Sequence, residues 1–314
     1  MSSTDASAGA EPPLRIVAGP TGAGKSALAM ALAERRGAVI VSADSRQVYR
    51  GFDIGTSKPT AAERARVRHE GLDVAGPSER WSAARWAADA ARWIAEAGAR
   101  GQPALVVGGT GLWIRALVRP LADEPPMDAA RRRAMQDALG TLGTAELRRW
   151  VEVLDPPRAA FGRAQLLRAA EVALLAGRRL SEAHEASAGR PARPARWVIV
   201  DPGEDLQRRI EARLDAMLAG GWPDEVRRLV GTVPADAPAW NACGYREIRD
   251  WVEGRCTAAA AREAILVSTR QYAKRQRTWF RNQLGGEPHV LRLDPRAGDA
   301  VARADRWLFE GDDA

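Results

Sequence analysis

Gly19-Pro20-Thr21-Gly22-Ala23-Gly24-Lys25-Ser26 fits the pattern G-x-x-x-x-G-K-[S/T], follows the apolar run Leu14-Arg15-Ile16-Val17-Ala18 and opens a helix-forming stretch from Lys25 to Arg36. A strand feeding a Gly-rich turn feeding a helix is the layout of a phosphate-binding loop of the nucleotide-binding, ATP-binding type. The glycines let consecutive N–H groups face one anion, and the helix adds its positive N-terminal end. Lys25 supplies a full charge, and Ser26 a hydroxyl for a metal ion such as Mg2+. A turn that met the pattern by chance would lack the flanking strand and helix. The expected fold is therefore α/β, a P-loop NTPase-like parallel sheet flanked by helices.

Composition is compatible with that fold. The chain has 314 residues, 46% of them apolar, which is enough for one large core with an insertion or for two domains. No apolar run approaches membrane-spanning length, so no membrane partner is expected. Residues 1–12, rich in Ser, Ala, Gly and Pro, read as a disordered tail without the pattern of a signal peptide. Cys243 and Cys256 stand in no metal-ligand spacing, and neither do His69, His184 and His289. A reducing, cytoplasmic location and a monomer are the expectations. The net charge of +7 is compatible with a polyanionic partner. Of 47 basic residues only Lys25, Lys58 and Lys274 are lysines. A lysine retained against such a bias marks a place where a compact ammonium is needed and a planar guanidinium will not serve.

After the loop, Ala38-Val39-Ile40-Val41 reads as a buried parallel strand ending at Ser42-Ala43-Asp44-Ser45. Ligands of such sheets sit beyond the C-terminal strand ends, which puts Asp44 beside the phosphate loop. It is either a functional carboxylate or a capping residue. A long polar stretch from Arg46 to Pro59 follows. Pro103-Ala104-Leu105-Val106-Val107 is a further strand, running into Gly108-Gly109-Thr110-Gly111 without the terminal acid of an ordinary Walker B site. Residues 120–195 lack strand patterns and read as a mostly helical insertion, which leaves 13–119 and 196–314 as the core domain. Arg196-Trp197-Val198-Ile199-Val200-Asp201 returns to the sheet, and Ser268 to Arg281 is helical with Arg270, Lys274 and Arg277 on one face.

The run Asp44-Ser45-Arg46-Gln47-Val48-Tyr49-Arg50 with Asp53-Ile54-Gly55-Thr56-Ser57-Lys58-Pro59 closely resembles the tRNA dimethylallyltransferase (tRNA isopentenyltransferase) family. So do Gly108-Gly109-Thr110-Gly111, Asn241-Ala242-Cys243-Gly244-Tyr245-Arg246-Glu247 and Thr269-Arg270-Gln271-Tyr272-Ala273-Lys274-Arg275-Gln276. The resemblance implies transfer of a dimethylallyl group from its diphosphate to the exocyclic amine of the tRNA adenosine 3′-adjacent to the anticodon. It implies Gly19 to Ser26 as the diphosphate cradle, Mg2+ on Ser26, and Asp44, Lys25, Thr110 and Arg270 as catalytic groups. It implies tRNA contacts at Asp44, Ser45, Arg46, Gln47, Arg168, Asn241, Ala242, Cys243, Gly244, Tyr245, Arg246, Lys274 and Arg275, with Gln47, Tyr49, Tyr245 and Arg246 receiving the flipped base and its neighbours. Before Arg168 the match thins, because Gly162 and Ala164-Gln165 stand where the family carries an Asp and a Gln-Arg pair. Two other readings are a P-loop kinase of a small metabolite with Asp44 as base, and a non-catalytic RNA-binding protein that keeps the loop for structure.

Overall fold

The computed structural model describes residues 12–119, 121, 127–188 and 191–310, so the expected tail, but for Pro12, lies outside the described residues. Six parallel strands form one sheet in the order β3-β2-β4-β1-β5-β6. They are β1 (Leu14–Ala18), β2 (Val39–Ala43), β3 (His69–Glu70), β4 (Ala104–Gly108), β5 (Ala195–Val200) and β6 (Val290–Leu293). The inner strands are buried on both faces, as continuous apolar runs require. The edge strands are not such runs. β3 has two half-buried residues, and β6 has only Leu293 buried.

Helices α1 (Lys25–Arg36), α2 (Ala61–Arg66), α3 (Ala83–Ala99) and α4 (Gly111–Val118) connect the first strands. Helix α3 buries Trp86, which stacks on Trp113 of α4 at 5.3 Å and donates from its indole to Ser42 O at 2.9 Å. Both tryptophans of α3, Trp86 and Trp93, are core residues.

The chain divides into two compact units. One runs up to Val118 and resumes at Arg193, and the other covers Arg119–Ala192. The described part of the second unit holds α5 (Ala129–Gly140), α6 (Thr144–Leu154), α7 (Arg163–Ala176) and α8 (Leu180–Ala188), closed around Leu139, Leu147, Val151, Leu166, Ala169 and Ala170. After β5, the first unit continues through α9 (Leu206–Ala219), α10 (Trp222–Val230), α11 (Tyr245–Val252) and the 26-residue α12 (Ala258–Gln283), and ends with β6 and α13 (Ala300–Phe309). No helix among the described residues is long and apolar enough to cross a membrane.

Candidate active site

The turn from β1 into α1 leaves no room for side chains at its start: a Cβ on Gly19 would lie 2.2 Å from Val200 O. Gly22 and Gly24 hold φ of 78° and 98°, the left-handed values that glycine tolerates. Lys25 Nζ donates to Pro20 O inside the loop at 2.8 Å, and Ser26 is exposed on the first turn of α1. Burial, and next the neighbouring Arg213 charge, pull the Lys25 ammonium down to about 8, with Asp44 opposing. Two arginines one turn apart on α9 lie over the loop. Arg209 Nε donates to Gly22 O at 3.1 Å, while Arg213 donates to Thr21 Oγ1 at 2.5 Å and to Ser57 Oγ at 2.9 Å. From α12, Gln276 accepts the Thr21 N–H at 2.8 Å and donates to Gly109 O at 2.9 Å.

Asp44 ends β2. Its Oδ1 accepts the Arg46 N–H at 2.8 Å, an Asx turn, and Oδ2 makes no hydrogen bond among the described residues. Capping and a chemical role therefore coexist on one carboxylate. Ser45 N donates to Thr110 Oγ1 at 3.1 Å, and Thr110 Oγ1 lies 3.4 Å from Ser45 Oγ. Burial, and secondarily Asp44, push the Tyr272 phenol well up, so it stays a neutral donor. Gln47 spends its amide on Ser42 Oγ at 2.8 Å and on the Thr56 and Ser57 carbonyls at 3.1 Å each, which ties down the loop that follows.

Three cavities meet at these residues. A cleft of about 540 Å³ lies over the phosphate loop, lined by Thr21, Lys25, Ser26, Asp44, Arg209 and Arg213 among others. A narrower one of about 70 Å³ shares Thr21, Asp44, Arg213 and Tyr272 with it and adds the apolar Ile210, Leu214, Met217, Trp222 and Ile265. A third of about 360 Å³ shares Arg46, Ala242, Cys243 and Tyr272 with the second and is rimmed by Asn241, Arg246 and Arg275. Phosphate cradle, apolar neck and cationic mouth are thus contiguous, with Asp44 where the first two join and Tyr272 in all three.

Several expected site residues lie elsewhere. Tyr245 is fully buried, donating to Glu225 Oε1 at 2.6 Å and accepting Gly55 N–H at 3.1 Å, so it cannot receive a base. Tyr49 is likewise a core residue. Gly244 is packed so that a Cβ would meet the Trp222 ring at 2.3 Å, yet its backbone also lines the third cavity. Arg270 is half-buried on α12, outside the lining of all three cavities, with its Nε unpartnered. Thr110 also lies outside the lining of all three cavities and holds the Ser45 backbone. Lys274 is exposed, while Arg277 is neutralised by Asp201. Arg168 belongs to the helical unit and pairs with Glu171 at 2.8 Å. Reading the sequence missed Arg209, Arg213, Tyr272 and Gln276 as site residues. The i,i+4 arginines beside Ile210 and Leu214 carried a signal, but it is hard to see among so many arginines.

A parallel sheet with a phosphate loop whose cleft opens through an apolar neck defines a P-loop protein built to move an apolar group off a phosphate-bearing donor. The IPP transferase family model matches residues 47–283, and that of isopentenyl transferase matches residues 12–77. The chain is 45% identical over 275 residues to the tRNA dimethylallyltransferase of Geobacter metallireducens, covering 85% of this chain and 89% of that one. It is 40% identical over 303 residues to the Deinococcus radiodurans enzyme of the same name, covering 94% and 97%. The crystal structure of the tRNA isopentenylpyrophosphate transferase of Bacillus halodurans superposes with a TM-score of 0.67 at 30% identity over 95% of each chain. A eukaryotic dimethylallyltransferase acting on tRNA gives 0.78 at 23% identity over 93% of this chain and 77% of that one, a likeness of fold. The chain belongs to the IPP transferase family and is a prenyltransferase.

Proposed function

We propose that the protein transfers the dimethylallyl group of dimethylallyl diphosphate to the exocyclic amine of the tRNA adenosine 3′-adjacent to the anticodon, releasing diphosphate. The observation that carries this reading is the contiguity of phosphate cradle, apolar neck and cationic mouth around Asp44 and Tyr272. The loop N–H groups, Lys25 and Arg213 hold the diphosphate, and the apolar wall from Ile210 to Trp222 takes the prenyl chain. Arg46, Arg246 and Arg275 meet RNA phosphates at the mouth. The adenine nitrogen attacks the first prenyl carbon, a C–N bond forms, and the C–O bond breaks with its electron pair leaving on the diphosphate. An exocyclic adenine amine is a poor nucleophile, so Asp44 Oδ2 accepts its proton as the new bond forms. Charge growing on the leaving group meets Lys25 and Arg213, which are already in place. Thr110 acts through Ser45 by holding the turn that carries Asp44.

Mg2+ fits the donor set. No cluster of three His, Cys, Asp or Glu side chains suited to a metal exists among the described residues, whereas Ser26 offers one hydroxyl beside the cradle. Magnesium needs little more, since it keeps water and substrate phosphate oxygens as its remaining ligands. When bound, it would neutralise charge on the departing diphosphate.

Incubation with labelled dimethylallyl diphosphate and unmodified tRNA should place one prenyl group per tRNA and release one equivalent of pyrophosphate. RNA binding without turnover, or phosphoryl transfer from ATP to a small acceptor in the parallel assay, would overturn the reading.

A further inference from the structure

Gln276 stands in the interior of α12, 7% exposed, with both ends of its amide committed. A buried primary amide is costly unless bonded, so the partners it finds define its place. Its acceptor takes Thr21 N–H, the third residue of the phosphate loop, and its donor goes to Gly109 O. These two turns leave adjacent parallel strands, β1 and β4, which pair from Arg15↔Leu105 to Ala18↔Gly108. The approach is close enough to dictate sequence. A Cβ on Gly109 would lie 2.2 Å from the Gln276 amide nitrogen, and one on Gly111 would lie 2.3 Å from the Trp279 ring. The Gly-Gly-Thr-Gly turn is therefore the floor on which this face of α12 rests.

The bond to Thr21 withdraws one N–H from the loop that holds the diphosphate in the functional reading above. Thr21 is also held from the opposite side, because its hydroxyl accepts from Arg213. Backbone and side chain of one residue are thus pinned by Gln276 and Arg213. One turn before Gln276, Tyr272 reaches the cavities that the loop and Asp44 line.

We propose that Gln276 is a positioning residue for the transfer reaction: it fixes Thr21 from α12 and thereby sets both the shape of the phosphate cradle and the seat of the Arg213 guanidinium. The inference rests on the functional reading above only for the reaction. Its effect on the cradle is read independently, with inorganic pyrophosphate as probe.

The test compares wild type with Gln276→Ala, Gln276→Glu, Gly109→Ala and the Gly109→Ala/Gln276→Ala double variant. Each is measured for kcat, KM for both substrates, pyrophosphate affinity by calorimetry and thermal unfolding. Gln276→Ala should lower kcat by about 10- to 100-fold, the scale on which roughly 1 Å of misplacement acts. It should weaken pyrophosphate binding and leave KM for tRNA unchanged. Gln276→Glu keeps the acceptor for Thr21 N–H but turns the donor to Gly109 O into a carboxylate oxygen facing a carbonyl and sets a negative charge beside the cradle, so its pyrophosphate affinity should fall as well. Gly109→Ala should be harmful alone and add less to Gln276→Ala than to wild type, because its main clash, at 2.2 Å with the Gln276 amide, is gone and only a 3.2 Å contact with Gly19 O remains. The proposal is overturned by a folded Gln276→Ala protein whose kcat and pyrophosphate affinity stay within about twofold of wild type, or by losses that simply add in the double variant. Should the alanine variant fail to fold, Gly109→Ala, which displaces the Gln276 amide without adding charge, decides: a folded protein whose pyrophosphate affinity stays within about twofold of wild type would sink the idea. A wild-type protein that binds pyrophosphate but prenylates no tRNA would sink the functional reading and leave the pyrophosphate comparison standing.

Discussion

The three lysines occupy three different environments. Lys58, with its side chain 1% exposed, donates to Tyr49 O at 2.5 Å, Asp53 Oδ1 at 2.6 Å and Asp73 Oδ1 at 2.5 Å, one acceptor for each ammonium hydrogen. Lys25 sits in the turn of the phosphate loop, and Lys274 is exposed on α12. The inference from scarce lysine thus holds where a point charge is enclosed and fails at the surface. Lys25→Arg keeps the charge but puts a wide planar fork where one donor fits. Dimethylallyl transfer should fall by about 100-fold while the thermal midpoint stays close to wild type. A folded, nearly fully active variant would make Lys25 an accident of composition. Burial, and then Arg213, hold Lys25 at about 8 against an ordinary 10.5, which gives a pH signature. Bound diphosphate favours the ammonium, so binding takes up a proton once the free enzyme has lost it. Pyrophosphate affinity, corrected for pyrophosphate's own titration, should therefore drop as pH rises through about 8, a drop absent from Lys25→Arg. For stability, the unfolded chain binds more protons than the folded one between about 8 and 10.5, so the Lys25 contribution improves as pH rises across that window. Asp44→Asn keeps the Asx turn but not the base. Single-turnover prenylation should slow by about 100-fold or more with pyrophosphate binding intact. A near-normal rate would reduce Asp44 to a turn residue.

Among the elements, α7 shows how a basic surface can mislead. Arg168, which the resemblance offers as a tRNA contact, and Arg132 both point at Glu171, which is 3% exposed, at 2.8 Å and 2.5 Å. A buried carboxylate needs its cations, and losing one hydrogen-bonded partner costs roughly 1.5–3 kcal/mol. Arg168→Ala should accordingly melt the helical unit several degrees early, seen by thermal unfolding, before any statement about tRNA is made from it. A variant as stable as wild type would free Arg168 for an RNA role. The strands show what the chain makes legible. β1, β2, β4 and β5 are apolar runs buried on both faces, and each can be read from sequence alone. β3, a two-residue His69–Glu70 pairing, and β6, a half-buried edge, have no such run, because their place is set by the strand already there. The phosphate loop and Asp44 were legible because local spacing defines them. Arg209, Arg213 and Gln276 come to the loop from 187 or more residues away in sequence, through the packing of α9 and α12, and no local pattern carries that.

For the whole molecule, a net charge of +7 describes the sum and not the distribution. Much of the arginine is internally matched. Arg36 bridges Asp305 and Glu310, Arg262 holds Asp215 and Glu211, and Arg277 holds Asp201. Cations paired within the chain release few counterions when a polyanion arrives, so they add little to the salt dependence of binding. At the mouth of the site the balance differs. Arg46 and Arg275 make no ion pair there among the described residues, and Arg246 meets only the neutral Asn241. In the helical unit Arg131, Arg133 and Arg149 are exposed, and none has an ion pair among the described residues. These are the groups that should carry the electrostatic part of tRNA affinity. Each that meets a phosphate of a single-stranded loop should contribute about 0.7 to the slope of log affinity against log salt. Arg275→Ala and Arg46→Ala should each make that slope shallower by about this amount. Arg262→Ala, which removes an equal formal charge, should leave it unchanged. Filter binding of unmodified tRNA between low and moderate salt separates the cases. If Arg262→Ala flattens the slope as much as Arg275→Ala does, net charge alone governs association and the mouth has no special part in it.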